Sequence, residues 1–313
     1  MASHQVSVII PSYNSLETIV RSLSALHGQQ TGAAFEIIVI DSANDGAADL
    51  IEREFPTVKL IRSNKRLYPG GARNLGIAEA NGQILAFTDA DCVAGPGWIE
   101  AIVQAHQSTE SVIGGIVENA NPENPVGWGY YFTEFNHWSP GASKGHVTEI
   151  PTCCLSMKRE AYERWGPFRT EGYCSDSLFH WLRAKDGELP YLDPDIRVAH
   201  INPGGLFHML EHEAFHGKYF AQVRTRYQSL TKGRLLLNLM TAPLLPFLLF
   251  ARAGVRVYQR DVYRSAFLRN SLQTFGGILF WSAGEFAGYL SCLVHDQPSI
   301  SEHEKAVKDS QAH

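Results

Sequence analysis

The stretch Ile84 to Cys92, ILAFTDADC, decides the fold. Its opening run ILAFT (84 to 88) is short and almost wholly apolar, the pattern of a strand buried on both faces of a parallel sheet, and it stops abruptly at Asp89-Ala90-Asp91. Two carboxylates at the carboxyl end of such a strand stand where open α/β sheets bind ligands. Hard oxygen donors of this kind suit Mg²⁺ or Mn²⁺, which keeps waters and takes one or two carboxylates together with phosphate oxygens. An Asp-x-Asp alone is more often a solvated turn or a helix cap, so its neighbours decide between the two.

Moving outward, further β-branched runs occur at VSVII (6 to 10), EIIVI (36 to 40), VKLI (58 to 61) and SVIGGIV (111 to 117). Between the runs, residues 15–27, 47–55, 70–80 and 97–105 have helical spacing, which predicts an α/β architecture with a parallel sheet and crossover helices. Polar residues cluster at the strand ends: Ser12, Tyr13 and Asn14 after the first, Asp41, Ser42 and Asp45 after the second. A carboxylate there can accept the imide N–H of a uracil or the hydroxyls of a ribose, and Tyr13 can lie along a base. In YPGGARNLGIAEANG a Gly-Gly turn leads into a helix carrying Arg73 and Asn74 near its start, an arrangement that favours an anion.

Composition narrows the class. The 313 residues are 44% hydrophobic and 19% charged, enough apolar content for one large domain or two packed ones, and against general disorder. A net charge of −5 gives no global attraction for polyanions, so no nucleic-acid partner is expected. The basic residues cluster late: residues 214–270 hold ten Lys or Arg against the single acid Asp261. Five cysteines without a C-x-x-C pair suggest neither a disulfide framework nor a thiolate zinc site. The start, MASHQVSVII, lacks a basic segment and a long apolar core, so the N-terminal portion is expected in the cytosol.

Residues 119–147 are rich in Gly, Pro and Asn yet carry Trp128, Tyr130, Tyr131, Phe132, Phe135 and Trp138; they suit a substrate-facing loop or, equally, aromatic packing over the sheet edge. Residues 235–251 contain no charge, and residues 271–294 are apolar apart from Glu285. Each approaches the ~20 residues of a membrane span, but Pro243 and Pro246 interrupt the first. Were both to span, the Arg-rich link 252–270 would lie on the far side, against the positive-inside tendency; interfacial or re-entrant helices with arginines on anionic headgroups fit better. A buried soluble helix pair is the bland reading. His208, His212 and His216 recur at i, i+4 and i+8, a spacing able to hold a soft metal, though such a stripe more often lines a cleft or a solvent face.

At this point the chain resembles the family 2 glycosyltransferases of the GT-A fold. The resemblance covers roughly residues 5–230 and rests on five pieces in the family's order: VSVIIPSYN, EIIVIDSANDG, GGARNLGIAEANGQILAFTDADC, PTCCLSMKREAYERWGPF and CSDSLFHWLRAKDG. It implies a membrane-associated enzyme of bacterial polysaccharide or lipid-linked glycan synthesis, at the cytoplasmic face of the membrane. Its Rossmann-like domain would have a nucleotide-sugar-binding half at 1–118, an acceptor-binding half at 119–210, a helical, basic, apolar segment at 211–298 and a polar tail at 299–313. The donor would be a nucleoside-diphosphate sugar, the acceptor lipid-linked or a saccharide, and the cofactor Mg²⁺ or Mn²⁺. By position, the resemblance assigns nucleotide contacts to Pro11, Tyr13, Asn14, Asp41, Ser42, Gly71, Arg73, Asn74 and Asp89, and metal contacts to Asp89, Asp91 and His200, the last being equally readable as a diphosphate contact or a structural histidine. Asp176 matches the family's catalytic base, but the acidic neighbour usual there is Ser175, and the segment 41–46 is about one residue short. Inverting transfer needs one base facing the donor sugar, and a carboxylate near a helix start suits that role; a plain helix-capping aspartate is the bland alternative. Arg224 and Arg226 could hold a pyrophosphate or a lipid phosphate. Two other functions compete: a sugar nucleotidyltransferase, for which PSYNSLETI lacks the Gly-rich basic signature, and a non-catalytic nucleotide-binding membrane scaffold.

Overall fold

The computed structural model describes residues 4–295; the expected polar tail at 299–313 and the last residues of the 211–298 segment lie outside them. The first half alternates as expected: β1 (Val6–Ser12), α1 (Ile19–His27), β2 (Phe35–Asp41), α2 (Ala47–Glu54), β3 (Lys59–Arg62), α3 (Pro69–Ala78) and β4 (Ile84–Phe87). β1 lies between β2 and β4, with β3 beyond β2, and all of these pairings are parallel. The carboxyl ends of β1, β2 and β4 therefore open on one edge.

Side chains of β1 alternate across the sheet with a period of two. Val6, Val8 and Ile10 pack with Leu23 and Leu26 of α1 on one face, while Ile9 packs with Ile77 of α3 on the other. Burying each such aliphatic side chain contributes about 1.5–3 kcal/mol, so both helix layers are held by the same strand.

The second half completes the sheet differently from the expectation. It runs β5 (Cys92–Ala94), α4 (Trp98–Ala105), β6 (Val112–Asn119), α5 (Pro125–Glu134), β7 (Gly145–His146), β8 (Leu155–Lys158), α6 (Arg159–Trp165), α7 (Ser175–Lys185) and β9 (Tyr191–His200). β8 inserts antiparallel between β4 and β6, so the run 111–117 is not the next parallel neighbour of β4. Beyond β6 the sheet continues through β9, parallel to β6, and ends on β5, antiparallel to β9. A four-residue strand such as LSMK has too little local signal to declare itself; its pairing with two distant partners defines it.

The aromatic stretch is not a loop. Asn124 caps α5, its side chain accepting from the backbone N–H groups of Val126 and Gly127, with Pro125 in the first turn. Trp128, Tyr131, Phe132 and Phe135 are buried in the core, Trp128 stacked on Phe132 at 5.3 Å between ring centroids.

The remaining chain is helical: α8 (Leu206–Gln228), α9 (Lys232–Thr241), α10 (Leu245–Arg260), α11 (Arg264–Arg269) and α12 (Ser271–Val294). A single 3₁₀ turn at Ala242–Leu244 separates α9 from α10, where Pro243 and Pro246 remove backbone donors. α8 and α12 cross in very close contact: a Cβ on Gly217 would lie 2.0 Å from the Trp281 carbonyl oxygen, and one on Gly284 2.0 Å from that of Ala214. α12 is thus partly buried, whereas Lys232–Arg260 is mostly exposed.

Two predictions follow from this packing. Gly217→Val forces α8 from α12, and overpacking of that kind lowers unfolding free energy by about 1–3 kcal/mol; a denaturant melt matching wild type would remove the contact from the account. The second concerns His106, buried at the end of α4, whose Nε2–H donates to Ser156 at 2.9 Å. Burial, helped by Lys158, depresses its pKa to about 4. The neutral ring is favoured in the fold, so its contribution is intact above about pH 6.5 and is lost as pH falls toward about 4, with a slope of up to about 1.4 kcal/mol per pH unit. His106→Gln should flatten the pH dependence of the unfolding midpoint in that window; an unchanged slope would show that His106 does not titrate there.

Candidate active site

At the open edge, the ends of β1 and β2 and the start of α2 enclose a cavity of about 510 Å³. Tyr13, Asn14, Asp41 and Ser42 line it, as the sequence predicts, and they are joined by Arg62 from the end of β3 and Arg66 from the segment after it. Asp41 is buried and accepts from the Ser12 hydroxyl at 2.6 Å. Burial pushes its carboxyl up, and the Ser12 bond opposes that. The guanidinium of Arg66 lies 4.5 Å from the centroid of the Tyr13 ring, fixing an exposed aromatic at the mouth. Arg66 carried no signal in the sequence, because its place depends on the loop after β3. Asp45 contributes elsewhere: its carboxylate accepts from the backbone N–H groups of Leu16 and Ala47, tying the β1 and β2 turns together.

The Asp89-Ala90-Asp91 turn follows β4 on the same edge. Arg73, buried on α3, donates to Asp89 at 2.6 Å, so its guanidinium is engaged by a carboxylate instead of being free for an anion. Asp91 turns the other way. β5 pairs with the end of β9, setting Cys92 opposite His200, and the Asp91 carboxylate lies 3.5 Å from His200 Nε2. The other ring nitrogen, Nδ1, faces Asn202 Oδ1 at 2.9 Å, and the Asn202 amide in turn donates to Asn119 Oδ1 at 2.8 Å. That network makes Nδ1 the donor to Asn202 and leaves Nε2 toward Asp91. A carboxylate and an imidazole nitrogen so disposed are a donor set that fits a divalent cation. Asn202, two residues after His200, is the supporting group that sequence reasoning missed. Packing around Asp91 raises its carboxyl, an effect that His200 opposes and Asp89 reinforces.

Asp176 lies in the first turn of α7. It accepts from the Ser177 N–H at 2.9 Å and, at 3.4 Å each, from the Thr152 backbone N–H and hydroxyl. The start of α7 is locked to the start of α3: a Cβ on Gly70 would lie 2.9 Å from the Ser175 Cβ and 1.9 Å from the Arg169 carbonyl oxygen. Ser175 is buried in that junction, which leaves little room for a larger acid beside Asp176. Through Gly70 and Arg73, α3 joins the Asp89 turn to the Asp176 turn.

Several expected contacts do not reach this edge. Gly70 and Gly71 lie inside α3 and not in a flexible turn before it, and Gly71 packs against Thr170. Asn74 spends its side chain on the chain itself, donating to the Phe168 carbonyl at 2.8 Å and accepting from the Phe168 N–H at 3.0 Å and the Tyr162 hydroxyl at 3.1 Å. It is a clamp on the loop before α7 because these bonds use its amide on both sides. Pro11 is a strand residue of β1, outside the cavity lining. Arg224 is held by the Tyr289 hydroxyl at 3.1 Å and Glu285 at 3.6 Å, both on α12.

Comparison with known proteins agrees with this arrangement. Residues 7–166, a little over half of the chain, match the family model described as Glycosyl transferase family 2. Glycosyltransferase AglE of Haloferax volcanii is 30% identical over 185 residues, covering 57% of this chain and 60% of AglE. The succinoglycan biosynthesis protein ExoO of Rhizobium meliloti is 32% identical over 101 residues, covering 32% of this chain and 29% of ExoO. The chain therefore spans less than two thirds of these relatives. Among solved structures, the mannosyltransferase PcManGT from Pyrobaculum calidifontis, in complex with GDP-Man and Mn²⁺, superposes with a TM-score of 0.55 at 18% identity, covering 99% of this chain and 80% of that one. TarS residues 1–349 of S. aureus, in complex with UDP-GlcNAc, gives 0.54 at 15% identity with 92% of each chain covered. These two likenesses are of fold, the GT-A layout seen here, and with the family match the conclusion is that the chain belongs to glycosyl transferase family 2.

Proposed function

We propose that the chain is an inverting, metal-dependent glycosyltransferase that moves a sugar from a uridine-linked diphosphate donor to a hydroxyl of a lipid-linked or saccharide acceptor at the cytoplasmic face of a membrane. The observation that carries this reading is the meeting of Asp91 and His200, 109 residues apart in the chain and 3.5 Å apart in space, with the ring nitrogen aimed at the carboxylate. Supporting it, solved relatives of the same fold hold nucleotide sugars, one of them with Mn²⁺.

In this mechanism the cavity beside Asp41 takes the base. Asp41 accepts an imide N–H and Tyr13, backed by Arg66, covers the ring. Asp89, oriented by Arg73 and two residues before Asp91, takes a ribose hydroxyl. A divalent cation held by Asp91 and His200 would neutralise charge on the departing diphosphate. Asp176, in the first turn of α7, takes the proton from the acceptor hydroxyl as that oxygen attacks the anomeric carbon in line with the leaving group. Ser177 and Thr152 hold its carboxylate in place without neutralising it.

Membrane association rests on the helical segment. Met240, Leu244, Phe247, Leu268 and Leu272 are exposed, as are Lys232, Arg234, Arg252 and Arg269. Apolar side chains flanked by cations suit an anionic interface. Two of the arginines expected on headgroups serve the protein instead: Arg256 bonds the Asn136 side chain, and Arg260 donates to the carbonyls of Asn136 and His137, both at 2.7 Å.

Three outcomes are expected. Asp91→Ala abolishes metal-dependent donor hydrolysis and transfer while thermal melting stays cooperative; unchanged turnover would remove the cation assignment. Asp176→Asn spares donor affinity, read by titration of a nucleotide sugar, and cuts transfer on the order of 10² or more; retained transfer would place the base elsewhere. In flotation assays the protein rises with vesicles containing anionic lipid, and Leu244→Glu with Phe247→Glu together prevent it; flotation of that double variant would exclude the α9–α10 surface.

A further inference from the structure

The histidine stripe of α8 meets in the fold a carboxylate from another helix. Glu134, the last residue of α5, lies beside His212 and His216, and one ligand atom from each of the three falls within 4.8 Å of the other two. Glu134 Oε1 accepts from His216 Nδ1 at 2.7 Å. Ligand atoms around a tetrahedral zinc stand about 3.3 Å apart, given bonds of about 2.0–2.1 Å, a separation inside the 4.8 Å limit that the three atoms meet.

A second observation points to a ligand. His212 Nδ1 is buried and unpartnered, and Glu213, next to His212 on α8, is fully buried with its carboxyl against Glu134. Polar groups in such a place are ordinarily bonded, paired or metal-bound, because burying them bare is costly. Walls are present too: Tyr173 lies against both histidines, at 5.7 and 6.0 Å between ring centroids, and the Cys174 thiol bonds His216.

We propose that Glu134, His212 and His216, closed by Glu213, form a second cation site, selective for a first-row transition metal such as Zn²⁺. It is separate from the donor cation site, since the Tyr130 ring lies between them, stacked on His200 at 5.8 Å and tilted against His212 at 5.2 Å. Imidazole nitrogens favour Zn²⁺ here over Mg²⁺. By joining α5 to α8 next to Cys174, the ion fixes the segment that leads into Asp176.

The test is Zn²⁺ titrated into metal-stripped full-length protein against a competing colorimetric chelator. One tight equivalent is expected in wild type and in the Asp91→Asn, His200→Gln double variant; His212→Asn should bind at least about 100-fold more weakly. Circular dichroism without metal checks the fold of each variant. Co²⁺ added to stripped wild type, a reading that needs no variant, should give the visible absorption of a four-coordinate nitrogen and oxygen site. The proposal fails if wild type takes up no tight equivalent, if folded His212→Asn keeps it, if the donor-site double variant loses it, or if the Co²⁺ spectrum is absent.

Discussion

The pairing of a three-residue strand, Cys92–Ala94, with the last three residues of β9 is the constraint on which the site depends. β4 ends at Phe87 and delivers the Asp89-Ala90-Asp91 turn to the sheet edge, but a turn alone offers two carboxylates to solvent. Only when β5 leaves the turn and runs antiparallel along β9 does Asp91 face an imidazole. The backbone N–H of Ile201 donates to the Asp91 carbonyl at 2.8 Å, extending the pairing past His200. A short edge strand has little stability of its own; here it is held by the buried Cys92 and Ala94 and by the strand beneath them.

A second constraint joins the two sides of the cleft. α3 touches the sheet, donates Arg73 to Asp89, and meets α7 at Gly70. Because Gly70 admits no side chain, the turn bearing Asp176 sits at a fixed offset from the turn bearing Asp89. The same solution recurs in the helical segment, where glycines bring α8 and α12 into backbone contact. That contact gives α12 a buried face, with Glu285 and Tyr289 bonded at 2.7 Å inside it, and an exposed apolar face.

How far the sequence reveals this depends on how local each signal is. Runs such as VSVII and EIIVI read as strands because β-branched residues and abrupt polar ends occur within a few positions, and all four found before the Asp turn are strands within two residues of the expected ends. Asp41, Tyr13 and Ser42 were legible as cavity residues because strand ends of a parallel sheet share an edge. β8 was not, being four residues long and defined by partners 70 and 43 positions away at Ile84 to Phe87 and Val112 to Gly114. Asn74 looks like a ligand contact from its place at a helix start, yet its amide is bonded to Phe168 and Tyr162, and Arg73 bonds Asp89 through one nitrogen; neither pairing is visible locally. The aromatic run is equally readable as a loop or as core packing because Gly, Pro and Asn dominate its composition; Asn124 and Pro125 start a helix there and its rings are buried. For the α8 histidines, the missing carboxylate lay on another element.

The most direct test of the account is the position of the cation. Crystals of the full chain soaked with Mn²⁺ and a uridine diphosphate should give anomalous-difference density within bonding distance of Asp91 and His200 Nε2, adjoining the diphosphate, with the base beside Asp41. Density ligated by neither Asp91 nor His200, or a nucleotide bound with its base away from Asp41, would contradict it.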